Sequence, residues 1–118
     1  MFQAQILMNS ESTAVYSPWQ ERGGDNVIWP IEVVNEALAG TDARFEVQVF
    51  HKNSDDTGDG VAVGSSIAFE DPGILHLDVT AGLKEMVRLK FSFNENATAD
   101  SWVLFRALSA VFYDAVDA

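Results

Sequence analysis

The chain has 118 residues and no cysteine, which is the scale of one domain held by packing, without disulfides or thiolate metal sites. Hydrophobic residues are 47% and charged residues 21% of it, a globular composition. Seven Lys and Arg against 18 Asp and Glu give a formal charge of −11, which repels nucleic acid and anionic lipid and favours a partner with a basic surface.

Read in chain order, the dominant period is two. Residues 1–8, with Phe2, Ala4, Ile6 and Met8 alternating, form a candidate N-terminal arm or edge strand. They lack the basic n-region of a signal peptide, and no run approaches the roughly 20 apolar residues of a membrane span. Ala14 to Tyr16 is a short strand, followed by a flexible turn at Arg22-Gly23-Gly24-Asp25-Asn26. Val27 to Val34 reads as a strand whose Pro30 lacks a ladder donor and so suggests an edge or a bulge. Ile31 to Gly40 has a competing reading as two helical turns ending at Gly40, favoured by Glu36-Ala37-Leu38-Ala39 and opposed by its β-branched start. After a turn at Ala39 to Asp42, Phe45, Val47 and Val49 share one strand face, with Glu46, Gln48 and Lys52 mostly on the other. Asn53 to Gly60 is a polar hairpin loop.

The second half repeats the pattern. Val61 to Phe69 is a strand, and Glu70-Asp71-Pro72-Gly73 a turn in which Pro sets φ. Leu75, Leu77 and Val79 then oppose His76 and Asp78. Beyond a turn at Thr80-Ala81-Gly82, Val87, Leu89, Phe91 and Phe93 face in, and Arg88, Lys90 and Ser92 face out. After the Asn94 to Asp100 loop, Trp102 to Tyr113 is read as a central strand with a second short piece after Ser109. The pattern implies one all-β domain over residues 1–118, an antiparallel β-sandwich or jelly roll of about seven to nine strands.

Chemistry-bearing motifs are sparse. Asp55-Asp56-Thr57-Gly58-Asp59-Gly60 begins like a calcium loop, but its twelfth position is Ser66 where a bidentate Glu belongs. Asp55 and Asp59 are its weak metal candidates, beside the plainer reading of a solvated hairpin tip, and no cofactor is implied. His51 and His76 are read as exposed or interfacial, since neither stands in a nucleophile or zinc pattern. Glu70 and Asp71 do not make a glycosidase pair without a facing cleft. No enzymatic site is expected. Trp19 and Trp29 lie beside Pro18 and Pro30, where an indole serves as core lid, sugar platform or protein anchor. Phe105, Phe112 and Tyr113 read as core or subunit contact.

Two stretches carry a resemblance. Residues 45–60, FEVQVFHKNSDDTGDG, and residues 81–93 and 102–114, AGLKEMVRLKFSF and WVLFRALSAVFYD, resemble the patterns F-x-V-x-V-x-x-K-N-x-x-D, G-L-K-E-x-V-R-x-x-F and W-V-x-F-R-x-L of small β-sandwich virion proteins of tailed phages. The resemblance implies a capsid cement or decoration protein, made in the host cytoplasm and bound to the major capsid protein on the outside of the shell, often as a homotrimer. A carbohydrate- or receptor-binding module using Trp19 and Trp29 is the alternative, and a tail or head-completion component a third.

Oligomerisation follows from the residues themselves. From Trp102 to Val116, Trp102, Leu104 and Leu108 occupy one strand face and Val103, Phe105 and Ala107 the other. Either this strand is covered on both sides within the domain or one face meets another subunit, and a two-layer sandwich offers little internal cover for the second face. Phe2, Ile6, Trp19, Trp29, Trp102, Phe112 and Tyr113 are the candidate partner or subunit contacts. Direct nucleic-acid and membrane contacts are not expected.

Overall fold

The computed structural model describes residues 6–9 and 14–114. Ten strands follow in order: β1 (Ile6–Asn9), β2 (Val15–Tyr16), β3 (Gln20–Glu21), β4 (Asn26–Ala37), β5 (Phe45–Lys52), β6 (Val61–Phe69), β7 (Gly73–Val79), β8 (Met86–Phe93), β9 (Trp102–Ala107) and β10 (Val111–Tyr113). No helix occurs among the described residues. Every strand pairing is antiparallel.

Two of the strands are interrupted. β2 and β3 run one after the other along one side of β8, and β9 and β10 do the same along one side of β4. Counted as eight strand positions, the first pairs with the eighth, the second with the seventh, the third with the sixth and the fourth with the fifth. One sheet, called A, therefore runs β1, β9/β10, β4, β7; the other, called B, runs β2/β3, β8, β5, β6. This is the strand order of a jelly roll, a long antiparallel hairpin rolled into two layers. The sandwich expected from periodicity holds, its eight strand positions fall within the expected count, and the second short piece follows Ser109.

The core lies between the sheets and follows the period-two pattern. Val27, Trp29, Ile31 and Val33 from β4 meet Phe45, Val47 and Val49 from β5, with Val87, Leu89 and Phe91 from β8 and Val103, Phe105 and Ala107 from β9. Three phenylalanines join the layers: the Phe105 ring of sheet A lies 4.8 Å from that of Phe45 and 4.5 Å from that of Phe91, both of sheet B. Such contacts add about 0.5–1.5 kcal/mol each beyond area burial.

Two local readings are corrected. Residues 31–37 continue β4 with no helical turn, because Ile31 and Val33 are buried, β7 pairs the segment as far as Val33 and β9 pairs it to Ala37. β4 is also interior, so Pro30 marks neither an edge nor the bulge, which lies at Val34, between Val33 and Asn35.

Pro30 is tolerated through a specific exchange. Its carbonyl accepts the Leu108 N–H at 2.9 Å. The N–H and C=O of a strand residue point to the same side, so the donor that proline lacks would have faced the Leu108 carbonyl. That carbonyl accepts the Trp29 indole N–H at 3.0 Å instead. The gap between β9 and β10 falls at this point. Removing the indole donor by Trp29→Phe is expected to destabilise the fold by about 2 kcal/mol, the cost of an unpaired buried carbonyl plus lost packing. In a Pro30→Ala background, where a backbone N–H returns, the same change is expected to cost less. A double-mutant cycle in urea reads the difference.

Candidate interaction surfaces

The outer faces of the two sheets differ in chemistry. On sheet B, β8 and β5 present Arg88, Lys90, Phe50 and Lys52, with Tyr16 and Trp19 alongside. The Arg88 guanidinium carbon lies 3.9 Å from the Tyr16 ring centre and 4.4 Å from that of Trp19. Lys52 Nζ is 4.7 Å from the Trp19 ring and Lys90 Nζ is 5.6 Å from the Phe50 ring, and Phe50 meets Tyr16 edge-on at 6.0 Å. Each exposed-side aromatic ring of this group thus carries a cation over it. Beside it runs a shallow groove of about 240 Å³ lined by Glu46, Gln48, Phe50, Ala62, Ser66, Lys90 and Ser92. It exists because β6 sets Ala62 opposite Phe50 and Ala68 opposite Glu46.

The same cations fasten the Asn53 to Gly60 loop. Arg88 Nη2 donates to the Asp59 carbonyl and carboxylate at 3.3 and 3.2 Å. Lys52 Nζ points at the Asp56 and Gly58 carbonyls at 3.5 and 3.4 Å. At Gly60, φ is +74°, and a Cβ would stand 2.8 Å from the Trp19 indole and 2.7 Å from the His51 carbonyl, so only glycine fits under the ring. Asp55 and Asp59 do not assemble a metal site: Asp59 is turned to Arg88, and no group of three or more His, Cys, Asp or Glu side chains suited to a metal occurs among the described residues.

The histidines lie in different sheets. His76 faces out on β7, as read from the sequence. His51 does not: it is 8% exposed and points into the sandwich, and its Nδ1 accepts the Lys84 N–H at 3.1 Å. The β5 alternation continues to its seventh residue, placing His51 on the face of Val49. Burial, and then the nearby Lys84 charge, lower its proton affinity below the ordinary value.

On sheet A the outer face is mostly apolar. Residues paired across strands share a face, so Ile28, Pro30 and Glu32 of β4 align with Asp78, His76 and Ile74 of β7, and Glu32 also with Arg106 of β9. Leu104 stands opposite Asn35, Trp102 opposite Ala37 and Val111 opposite Ile28. Ile74 is 51% exposed, Val111 56% and Val34 41%. Charge in the middle of the face is confined to one ion pair, Arg106 Nε donating to Glu32 Oε1 at 2.6 Å. The bulge sets two β4 residues against one of β9, which leaves Val34 exposed and returns Glu36 to the inner side opposite Val103. There burial, and then the Asp71 charge, raise the Glu36 pKa above its ordinary value, and one carboxylate oxygen has no hydrogen-bond partner.

The seven candidate contacts distribute unevenly. Trp29 is 1% exposed and belongs to the core, so it neither stacks on a sugar nor anchors a partner. Trp19 is half-buried beneath Lys52 and Arg88, and Phe112 is half-buried against the core, its ring 6.3 Å from Trp29. Trp102 is half-buried on the outer face of sheet A, and Tyr113 is half-buried on β10. Ile6 opens β1, whose backbone pairs it with Phe105; Phe2 lies outside the described residues. The residues missed from sequence are Ile28, Val34, Ile74 and Val111, whose signal was the apolar positions opposite the core face of β4, β7 and β10. No protein-family model matches the chain, and neither the curated proteins nor the solved structures searched contain a match.

Two pH responses follow. Between the lowered folded pKa of His51 and its unfolded value of about 6.5, the unfolded chain binds a proton that the folded chain refuses. Stability therefore falls as pH drops below the unfolded value. His51→Asn, which keeps an acceptor for the Lys84 N–H, is expected to flatten the melting-temperature slope between about pH 5 and 7 relative to the parent. Glu36 has the opposite sign: its raised folded pKa makes the ionised form a cost that grows as pH rises past the unfolded value. Glu36→Gln is expected to raise the melting temperature at neutral pH, and less so at pH 4, where the native carboxyl is already protonated.

Proposed function

We propose that this chain is a non-enzymatic structural protein of a tailed-phage virion, of the capsid cement or decoration type, which binds the outer face of the shell built by the major capsid protein. The observation that carries the reading is the apolar outer face of sheet A on an otherwise acidic domain. A patch of that kind marks a protein contact, whereas the described residues gather no set of nucleophile, base and orienting group that would mark an active site.

Three further points support it. The jelly roll is a common fold of viral capsid proteins, which by analogy raises the prior without assigning a role. The resemblance at residues 45–60, 81–93 and 102–114 falls on β5 and its loop, β8, β9 and β10, which share the core with β4 and β7, while β9 and β10 also contribute to the apolar face. A charge of −11 suits the exterior of a particle and not contact with packaged DNA. In this reading the protein needs no cofactor and is made in the host cytoplasm.

Quantitative mass spectrometry of purified virions tests it. The expected result is a copy number that scales with that of the major capsid protein, with particles lacking the protein losing DNA at lower temperature. Absence from the particle, or a handful of copies, overturns it, and the second of these outcomes points to a tail or head-completion component.

A further inference from the structure

We propose that the outer face of sheet A is a self-association surface, through which two copies of the chain pack face to face about a two-fold axis. The inference rests on the assembly reading above only in treating this face as a protein contact; it names the occupant as a second copy.

The first argument is symmetry. Trp102, Leu104, Ile28, Pro30, Val34, Ile74 and Val111 form one apolar surface, while the aromatic rings on the outer face of sheet B lie under cations of the same chain. A trimer built from like chains uses two different patches on each copy. One patch that must be covered by another copy is satisfied by an isologous pair. The described surface thus favours a dimer over the trimer that the resemblance implies.

The second argument is charge. Two chains of charge −11 repel at long range, so any contact between them has to hold few free acids. Among the described residues this face carries one unpaired acid, Asp78, on its edge strand β7, while at its centre Glu32 is neutralised by Arg106. The pair also fixes the orientation. Glu32 and Arg106 are neighbours on adjacent antiparallel strands. A two-fold axis running parallel to the strands, between β4 and β9, sets each Arg106 over the other copy's Glu32. An axis perpendicular to the strands would set Glu32 over Glu32 and Arg106 over Arg106. The first arrangement makes a closed square of alternating charges and stacks the two sheets in the aligned manner.

The third argument is size. Four strand positions span about 19 Å, and the apolar rows run about 30 Å along β4, at the usual strand spacing and rise. The face therefore offers on the order of 550 Å² per copy, roughly the 1,000 Å² total at which specific interfaces begin. A micromolar and reversible dimer fits that area better than an obligate one.

Sedimentation equilibrium of the purified chain is the test. The mass is expected to rise from the 12.9 kDa of the monomer to twice that over the micromolar range. Because the like net charges of the two chains act at long range, while the central Glu32 and Arg106 charges are buried in the contact and little screened, raising salt from about 0.05 to 0.5 M is expected to tighten it about tenfold. Leu104→Lys and Ile74→Lys, both on the solvent side of the sheet, are each expected to weaken it at least tenfold with little change in thermal unfolding. Arg106→Glu is expected to weaken it as much by facing acid with acid, with a lower melting temperature as well because the Glu32 pair within the chain is lost. Val61→Lys, at a residue as exposed as Ile74 but on β6 of the other sheet, is expected to leave the dimer unchanged. A mass that stays at the monomer value throughout, or a dimer indifferent to Leu104→Lys and sensitive to Val61→Lys, overturns the proposal. Virion copy number is measured independently, so a monomer abundant on particles refutes the second copy while leaving the cement reading in place.

Discussion

A two-layer sheet fold covers each strand on one side, and in this chain β4 and β9 carry apolar side chains on both. The inner set, Trp29, Ile31, Val33, Val103, Phe105 and Ala107, is fully withdrawn from water. The outer set, Ile28, Pro30, Val34, Trp102 and Leu104, stays partly wet in the monomer. Rotating either strand does not resolve this, because a one-residue slip exchanges the two sets and leaves an equally apolar face outside. Register is therefore chosen by the larger and better-packed set, with the inter-sheet phenylalanines deciding it, and the remaining face becomes a property of the surface.

The Pro30 exchange shows how closely the middle of sheet A is specified. A proline in an interior strand removes one ladder bond, and an unpaired carbonyl there costs on the order of 1–3 kcal/mol. The chain avoids the cost by interrupting the adjacent strand at Leu108, whose carbonyl meets the Trp29 indole N–H. That solution demands a tryptophan at residue 29, buries it, and divides the last strand into β9 and β10. A residue that composition marks as a possible ligand platform is thereby committed to the backbone of its own fold.

The strands with clean alternation, β5 and β8, were legible because one face of each is core and the other polar. The gap in the last strand was legible from Ser109. The reach of β4 to Ala37 was not, because Glu36-Ala37-Leu38-Ala39 favours a helix locally and is overruled by pairing with β9. The burial of His51 was not legible either, because the polarity of a histidine near the end of a strand argues for exposure while its parity with Val49 places it inside. The Trp19, Lys52 and Arg88 cluster had no signal at all: residues 19, 52 and 88 meet only because β8 lies between β5 and the β2–β3 edge that carries Trp19. The apolar face of sheet A was half legible, from β9, while the share supplied by β7 and β10 depended on knowing which strands border β4.

The contrast between the two outer faces decides which side of the molecule is unfinished. Sheet B carries three aromatic side chains outward, Tyr16, Trp19 and Phe50, and lays Arg88, Lys52 and Lys90 over them. Three of the seven basic residues are used in this way, in a chain with few to spare. Long basic side chains suit the task, since their stems cover apolar surface while their heads stay in water. Sheet A receives only Arg106, and that residue is held by Glu32 and covers little else. Had solubility of the isolated monomer governed both faces, the bulkier apolar row on sheet A would have attracted the same dressing. Its absence there, beside its presence 10 Å or so away on the opposite layer, is a difference that burial of sheet A against another protein surface would explain.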